Sequence, residues 1–296
     1  MHAELTLTLI YLTLIYTFLF GSLYLGIALG FSIIAGVLRI FYIAYPILFL
    51  IPAYGTWMFW RDVGLPFELS ISLSFVLMFA VSVVIYRFVA NKFLEAEDYM
   101  LAAFLLIFLV IQEIINLVYP EAAGVYLPTL ILPGTIDVGP LKIPGQLLLV
   151  SLVSIAMIAL YIAFFVKTKM GLIMRAISQS YLYSKIMGIN FDFMFAVAMI
   201  VASIPPGVVM LLISPVWALN PHIGWHLFAY GIMVAVLGGL GNLKGTIIAA
   251  YAIGFIHSVV AFAFYQPRLS SLICLIIVVI ILALRPRGLA RAETVW

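Results

Sequence analysis

Charge is scarce in this sequence. Of its 296 residues only 8% are charged, 67% are hydrophobic, and the mean hydropathy is +1.29. A soluble domain carries about 25% charged residues. A water-soluble chain of this length cannot hide so much apolar surface in one core, whereas a bilayer replaces water around its outer faces. Cysteine is nearly absent. Cys274 stands alone in an apolar run, which excludes an intrachain disulfide and leaves the redox compartment unread. The net charge of +3 is small. With neither a basic face nor zinc-ligand spacing, a nucleic-acid partner is excluded. Signature motifs of chemistry are missing too. There is no glycine loop ending in Gly-Lys-Ser/Thr, no Gly-x-Ser-x-Gly, no His-Glu-x-x-His and no pair of membrane aspartates. Those gaps argue against a nucleotide site or an intramembrane hydrolase in this chain. Met1-His2-Ala3-Glu4 lacks the basic start of a signal peptide, so the first apolar run reads as a retained membrane segment.

What is present is a series of long apolar runs bounded by charge, Pro or Gly. They fall near 5–20, 22–38, 40–60, 68–88, 100–119, 146–166, 193–214, 228–241, 246–264 and 269–284. The fold class is therefore all-α: a polytopic membrane bundle of eight to ten segments, forming one domain over 1–296. Only Gly21 separates the first two runs, which allows two helices or one bent helix. The run at 228–241 is too short to cross about 30 Å at 1.5 Å per residue and reads as a half-helix or re-entrant segment.

Alternating the spans with the C-terminus inside puts eleven of the fourteen Lys and Arg residues on the cytoplasmic side. Only Arg61, Lys142 and Arg268 fall outside, as the positive-inside rule requires. The external stretch 120–145, with five prolines and four glycines, is expected to be irregular.

The cytoplasmic stretch 167–192 is amphipathic. Ile173, Ala176, Ile177, Ser180, Tyr181 and Ser184 recur at helical spacing, while Arg175, Gln179 and Lys185 stay polar. Gly171 opens it, and Gly188 fits a C-cap. Such a helix is either an interfacial anchor or an element a partner can push.

Ionisable residues inside spans are the usual functional candidates. Glu113, with Gln112 and Asn116, stands near the outer end of its span. It is either a polar rim for a cationic group or a carboxylate bonded to a neighbouring helix. His257 has no second ligand at i+4 and reads as a core histidine rather than a metal ligand. Tyr24, Tyr42, Tyr45 and Tyr54 either line a pathway or belong to an aromatic belt.

Several stretches together resemble one family. Gly171, Arg175-Ala176-Ile177 and Lys185-Ile186-Met187-Gly188-Ile189-Asn190 resemble the cytoplasmic loop of branched-chain amino acid ABC permeases. Gly21-Ser22-Leu23-Tyr24-Leu25-Gly26 through Gly30, with Gly36-Val37-Leu38-Arg39, looks like the family's first core helix. Asn220-Pro221-His222-Ile223-Gly224 followed by Val236-Leu237-Gly238-Gly239-Leu240-Gly241-Asn242-Leu243-Lys244-Gly245 looks like its glycine-rich signature. Gln112-Glu113 fits the pattern before the external loop, and Arg285-Pro286-Arg287-Gly288-Leu289 resembles its C-terminal end. The pieces are colinear across essentially the whole chain.

The resemblance implies a permease subunit in a prokaryotic plasma membrane, with its C-terminus cytoplasmic and no cofactor of its own. It implies a second permease subunit, two cytoplasmic ATPases that use ATP and Mg, and an external substrate-binding protein. The cargo it implies is a branched-chain or other hydrophobic amino acid. Gly171, Arg175, Ala176, Gln179, Lys185 and Gly188 would form the ATPase-coupling loop. Tyr24, Tyr42, Tyr45, Glu113, Asn116, Gly238, Gly239 and Gly241 would lie along the path. One segment departs from the pattern. After Arg39 the family carries Asn-Phe-Ala-His-Gly and an acid, where this chain has Tyr42-Ile43-Ala44-Tyr45-Pro46-Ile47. That departure keeps urea, a short amide or another small polar solute as an alternative cargo. A motor-independent channel or carrier is disfavoured by the scarcity of membrane carboxylates.

Overall fold

The computed structural model describes the chain except residues 1, 94–95, 121–125, 129–130, 139–140, 180–183, 185, 286–287 and 290–296. Among the described residues the α-helices are α1 (His2–Ile33), α2 (Ile47–Trp57), α3 (Phe67–Ile85), α4 (Glu97–Val118), α5 (Gly145–Lys167), α6 (Lys169–Gln179), α7 (Phe191–Ile213), α8 (Ile223–Gly238), α9 (Leu243–Ser258) and α10 (Ser270–Leu284). Helices α1, α2, α3 and α9 each run on into a π-helical turn, at Ile34–Leu38, Met58–Asp62, Tyr86–Ala90 and Val259–Ala263. Among the described residues seven helices are long and apolar enough to cross a membrane. Helices close all backbone hydrogen bonds internally, which is why such a chain can dissolve in lipid. The short helices α2 and α8 are sheltered by neighbours, and every residue from Ile47 to Thr56 is buried.

The first two apolar runs form one helix. Gly21 does not break it, because its role is to let α9 approach. A Cβ on Gly254 of α9 would lie 2.6 Å from the Gly21 nitrogen, so the two backbones touch where neither residue has a side chain. Side-chain hydroxyls stitch the same crossing, with Ser22 to Tyr251 at 3.0 Å and Ser32 to Thr246 at 2.9 Å. Helix α1 packs against α5, α7, α8 and α9 and forms the buried centre of the bundle. The run near 40–60 becomes helical only at Ile47. Pro46 lacks an N–H and disfavours helical backbone in the residue before it.

Two prolines shape α7. Pro205 and Pro206 lie inside the helix and cannot donate to the carbonyls of Val201 and Ala202. The Tyr161 hydroxyl donates to the Val201 oxygen. The Ala202 oxygen instead faces Gly30 of α1, where an added Cβ would collide with it. The acceptor freed at Val201 thus ties α5 to α7, and Gly30 lets α1 pack closely beside the Ala202 carbonyl. Between α2 and α3 the contact is a small-residue stripe, with Gly55 beside Ser74 and the Thr56 and Ser74 hydroxyls 2.8 Å apart.

At the edge of the bundle, α4 exposes Leu106, Val110 and Leu117, and α10 exposes Leu272, Ile276 and Val279. Faces of this kind belong against lipid or a partner in the membrane. The 120–145 stretch is not wholly irregular. Thr135–Val138 (β1) and Leu141–Pro144 (β2) pair antiparallel, because β-branched Thr135, Ile136, Val138 and Ile143 favour strand. Gln146 ties this stretch to the bundle. Its Oε1 accepts from the Ile131 N–H at 3.2 Å, and its Nε2 donates to the Leu212 carbonyl at 2.6 Å.

Candidate functional site

The amphipathic stretch folds as α6. Thr168 is extended, and its Oγ1 accepts the Gly171 N–H at 3.0 Å, capping the first turn. Gly171 therefore sits inside that turn rather than at its start. A Cβ there would lie 2.5 Å from the backbone of Phe164 and Phe165, so this glycine must face α5. That contact sets the rotation of the helix. Gly171, Met174, Ile177 and Ser178 are buried, while Ile173, Arg175 and Ala176 are half-buried and Gln179 is exposed. The buried face is thus turned by about one residue from the Ile173–Ala176 face read from periodicity. Ser180, Tyr181 and Lys185 lie outside the described residues.

Gly188 has φ +74° and open space around it, and the Ile189 N–H reaches the Ser184 carbonyl at 3.4 Å. This is the left-handed helix ending that glycine favours. Just before it, Ile186 and Met187 are 76% and 81% exposed. Arg175 keeps its Nε buried without a hydrogen-bond partner among the described residues.

The distant motifs converge beside α6. Arg39, at the end of the α1 π-turn, donates from Nη2 to the Ser178 carbonyl at 2.6 Å. One turn earlier, a Cβ on Gly36 would lie 2.5 Å from the Gly241 Cα. Gly239 and Gly241 have φ +91° and +81° and reverse the chain between α8 and α9. Gly238 packs on Gly245, where a Cβ would meet the carbonyl carbon at 2.6 Å. Asn242 caps α9 by accepting the Gly245 N–H at 3.0 Å. The Leu289 N–H donates to the Leu237 carbonyl at 2.8 Å, so Leu289 docks on the same turn.

The tyrosines occupy the interior and do different things. Tyr24 stacks on Tyr230 with ring centroids 4.3 Å apart, and both hydroxyls reach His257 Nδ1, at 2.8 and 3.1 Å. Tyr45 donates to the Ile27 carbonyl at 2.7 Å. Tyr42 is fully buried with its ring edge on Phe104, and its hydroxyl has no partner among the described residues. Glu113 is not among them. It is exposed on α4, bonded weakly to half-buried Asn116 at 3.5 Å. Its neighbour Gln112 is the residue that turns inward, meeting His222 Nδ1 at 2.9 Å. Sequence reading missed Tyr230 and Ser178. Nothing local marks them, because their partners lie 27 and 139 residues away.

A cavity of about 230 Å³ opens between α2, α3 and α4, lined by Ile51, Gly55, Met58, Leu77, Ile111 and Ile115 among others. Tyr54 and Tyr119 complete its wall and stack on each other at 5.6 Å. The Tyr119 hydroxyl donates to Asp62. Burial first, and the Asp62 carboxylate second, push the pKa of that hydroxyl up. The cavity offers aliphatic contact and almost no polar atom. Among the described residues no group of His, Cys, Asp and Glu could hold a metal ion.

These features define a multi-pass helical membrane protein with an amphipathic helix packed on the end of its central span. Residues 13–282 match the branched-chain amino acid transport system / permease component family, and the chain belongs to that family. It is 26% identical over 136 residues to the high-affinity branched-chain amino acid transport system permease protein LivH of Escherichia coli K12. The aligned part covers 46% of this chain and 44% of that protein. The LivH protein of Salmonella typhimurium is 25% identical over the same length and shares. The match spans less than half the length of these curated relatives.

Proposed function

We propose that this chain is the membrane-spanning permease subunit of an ATP-binding-cassette importer for branched-chain or other hydrophobic amino acids. It acts with a second permease subunit, two cytoplasmic ATPases and an external binding protein. The observation that carries the reading is the family match over 13–282, whose motifs meet where α6 packs against the end of α1. The chain does no covalent chemistry in this scheme. The ATPases bind and hydrolyse ATP, α6 receives their movement, and the central helices change which side of the path is open. The C-terminus and α6 lie on the cytoplasmic side, in line with the Lys and Arg distribution.

Aliphatic cargo suits the interior. A path built from Leu, Ile, Val, Phe and ring faces needs no buried charge partner for an apolar side chain. The α2–α3–α4 cavity has the same chemistry. A small polar solute remains the alternative on the strength of the Tyr42–Ile47 segment, which lacks the family's polar groups.

Stimulated hydrolysis tests the cargo. The complete complex in nanodiscs hydrolyses ATP several-fold faster with leucine-loaded binding protein than with empty binding protein. Stimulation by urea-loaded binding protein alone would replace the amino acid with the alternative cargo.

A further inference from the structure

We infer that residues 39–46 are the strap that carries movement of α6 into the bundle, with Arg39 as its handle and the Tyr42 hydroxyl as a group that finds its partner only in the other transport state. The inference rests on the importer reading and adds the residues through which that subunit is driven.

Four observations support it. Arg39 holds the Ser178 carbonyl at 2.6 Å, in the last described turn of α6. Arg39 itself is left-handed, at φ +55°, a backbone state a non-glycine residue keeps only when its surroundings enforce it. The α1 helix loosens into a π-turn immediately before it, and such turns often mark functional sites. Beyond Arg39 the chain runs non-helically into the buried interior, and Tyr42, Ala44, Tyr45 and Pro46 are buried.

The strap touches four helices. Arg39 reaches α6, the Tyr42 ring meets Phe104 of α4, the Tyr45 hydroxyl bonds Ile27 of α1, and the Pro46 carbonyl lies against Gly224 of α8. A pull on α6 therefore moves contacts to α1, α4 and α8 together. Within this strap one buried side-chain polar atom lacks a partner among the described residues. It is the Tyr42 hydroxyl, which sits in an apolar interior. A group left that way costs stability in the state that strands it. A second arrangement that bonds it is favoured by the same amount, which is how a ligand or motor can bias two states.

Tyr42 and Tyr45 supply the only hydroxyls among residues 40–46, and Tyr45 is already bonded.

The test uses the full complex in nanodiscs, with three single variants: Arg39→Ala, Arg39→Lys and Tyr42→Phe. ATPase recovery, uptake per ATP hydrolysed, melting of the permease and hydrogen exchange over 39–46 are read together. Arg39→Ala is expected to retain the ATPase and basal hydrolysis within about twofold, yet lose at least about tenfold in uptake per ATP, the size of a typical coupling free energy. Arg39→Lys restores part of that loss, since one ammonium donor can still meet one carbonyl. Tyr42→Phe melts higher than the parent and transports several-fold less per ATP. A purely structural role predicts altered melting with an unchanged coupling ratio in every variant, and that result overturns the inference. If Arg39→Ala does not fold, Arg39→Lys and Tyr42→Phe decide by the same ratio. Hydrogen exchange separates this inference from the importer reading. ATP-dependent exchange at 39–46 that disappears in the Arg39 variants supports the strap whatever the cargo. ATP-dependent exchange that persists unchanged in those variants refutes it.

Discussion

Gly254→Leu is expected to destabilise the folded bundle severely. The Cβ alone would stand 2.6 Å from the Gly21 nitrogen and 3.0 Å from the Thr17 carbonyl oxygen. Both are backbone atoms of the central helix, so no side chain can swing aside. Overpacking a core costs about 1–3 kcal/mol and sometimes more, against a total stability of roughly 5–15 kcal/mol. Separating α1 from α9 would also break the Ser22–Tyr251 and Ser32–Thr246 bonds and pull Tyr24 from His257. Monodisperse recovery in detergent and the melting temperature measure this. Ile276→Leu, on the exposed face of α10, serves as the control and should stay within about 0.5 kcal/mol of the parent. A Gly254→Leu protein that melts with the parent would show that α1 and α9 do not cross as described.

The second large effect concerns α6. Gly188→Val and Arg175→Glu should leave the permease inserted and folded while lowering ATPase recovery by tenfold or more. Valine at φ +74° is a strained branched residue in left-handed backbone, and the turn that presents exposed Ile186 and Met187 shifts to relieve it. Gly188→Asn is tolerated, because asparagine visits that region at low cost. Arg175 offers a planar donor fork for a carboxylate or carbonyl on the motor, and reversal of its charge repels the same group. Copurification of the ATPase with each variant is the measurement. Full recovery with both variants would make α6 a membrane-surface anchor and nothing more.

How much of this was legible beforehand follows from range. Long apolar runs bounded by charge specify spans locally, so the helices from α3 onward lie within a few residues of their sequence boundaries. The short α8 was legible for the same reason. The start of α2 was not, because Phe41 to Ile47 is as apolar as the helix after it, and only Pro46 marked the change. Gly21 left two helices or one bent helix open, and the chain forms one helix. The real constraint on Gly21 is the backbone of Gly254, 233 residues away, and nothing in its own neighbourhood reveals that. The amphipathic α6 was visible from periodicity, but its rotation was not, since Gly171 against Phe165 fixes it through tertiary contact.

The candidate residues divide along the same line. Gly238, Gly239 and Gly241 were marked by the family resemblance, and they form the turn that Gly36 and Leu289 touch. Glu113 was singled out as a membrane carboxylate, yet at helical spacing one residue separates an inward from an outward side chain. Gln112 bonds His222 inside, while Glu113 faces out. The Tyr24–His257–Tyr230 cluster joins three helices, and pairing at such distances leaves no trace in a single sequence.

The central claim is tested most directly by net uptake. Proteoliposomes containing the permease pair and ATPases, with ATP and magnesium on the ATPase-facing side, are given binding protein and labelled leucine on the other. Uptake should proceed against a leucine gradient, require ATP, and survive collapse of proton and sodium gradients. Accumulation driven by an ion gradient with the ATPases omitted would contradict the importer account.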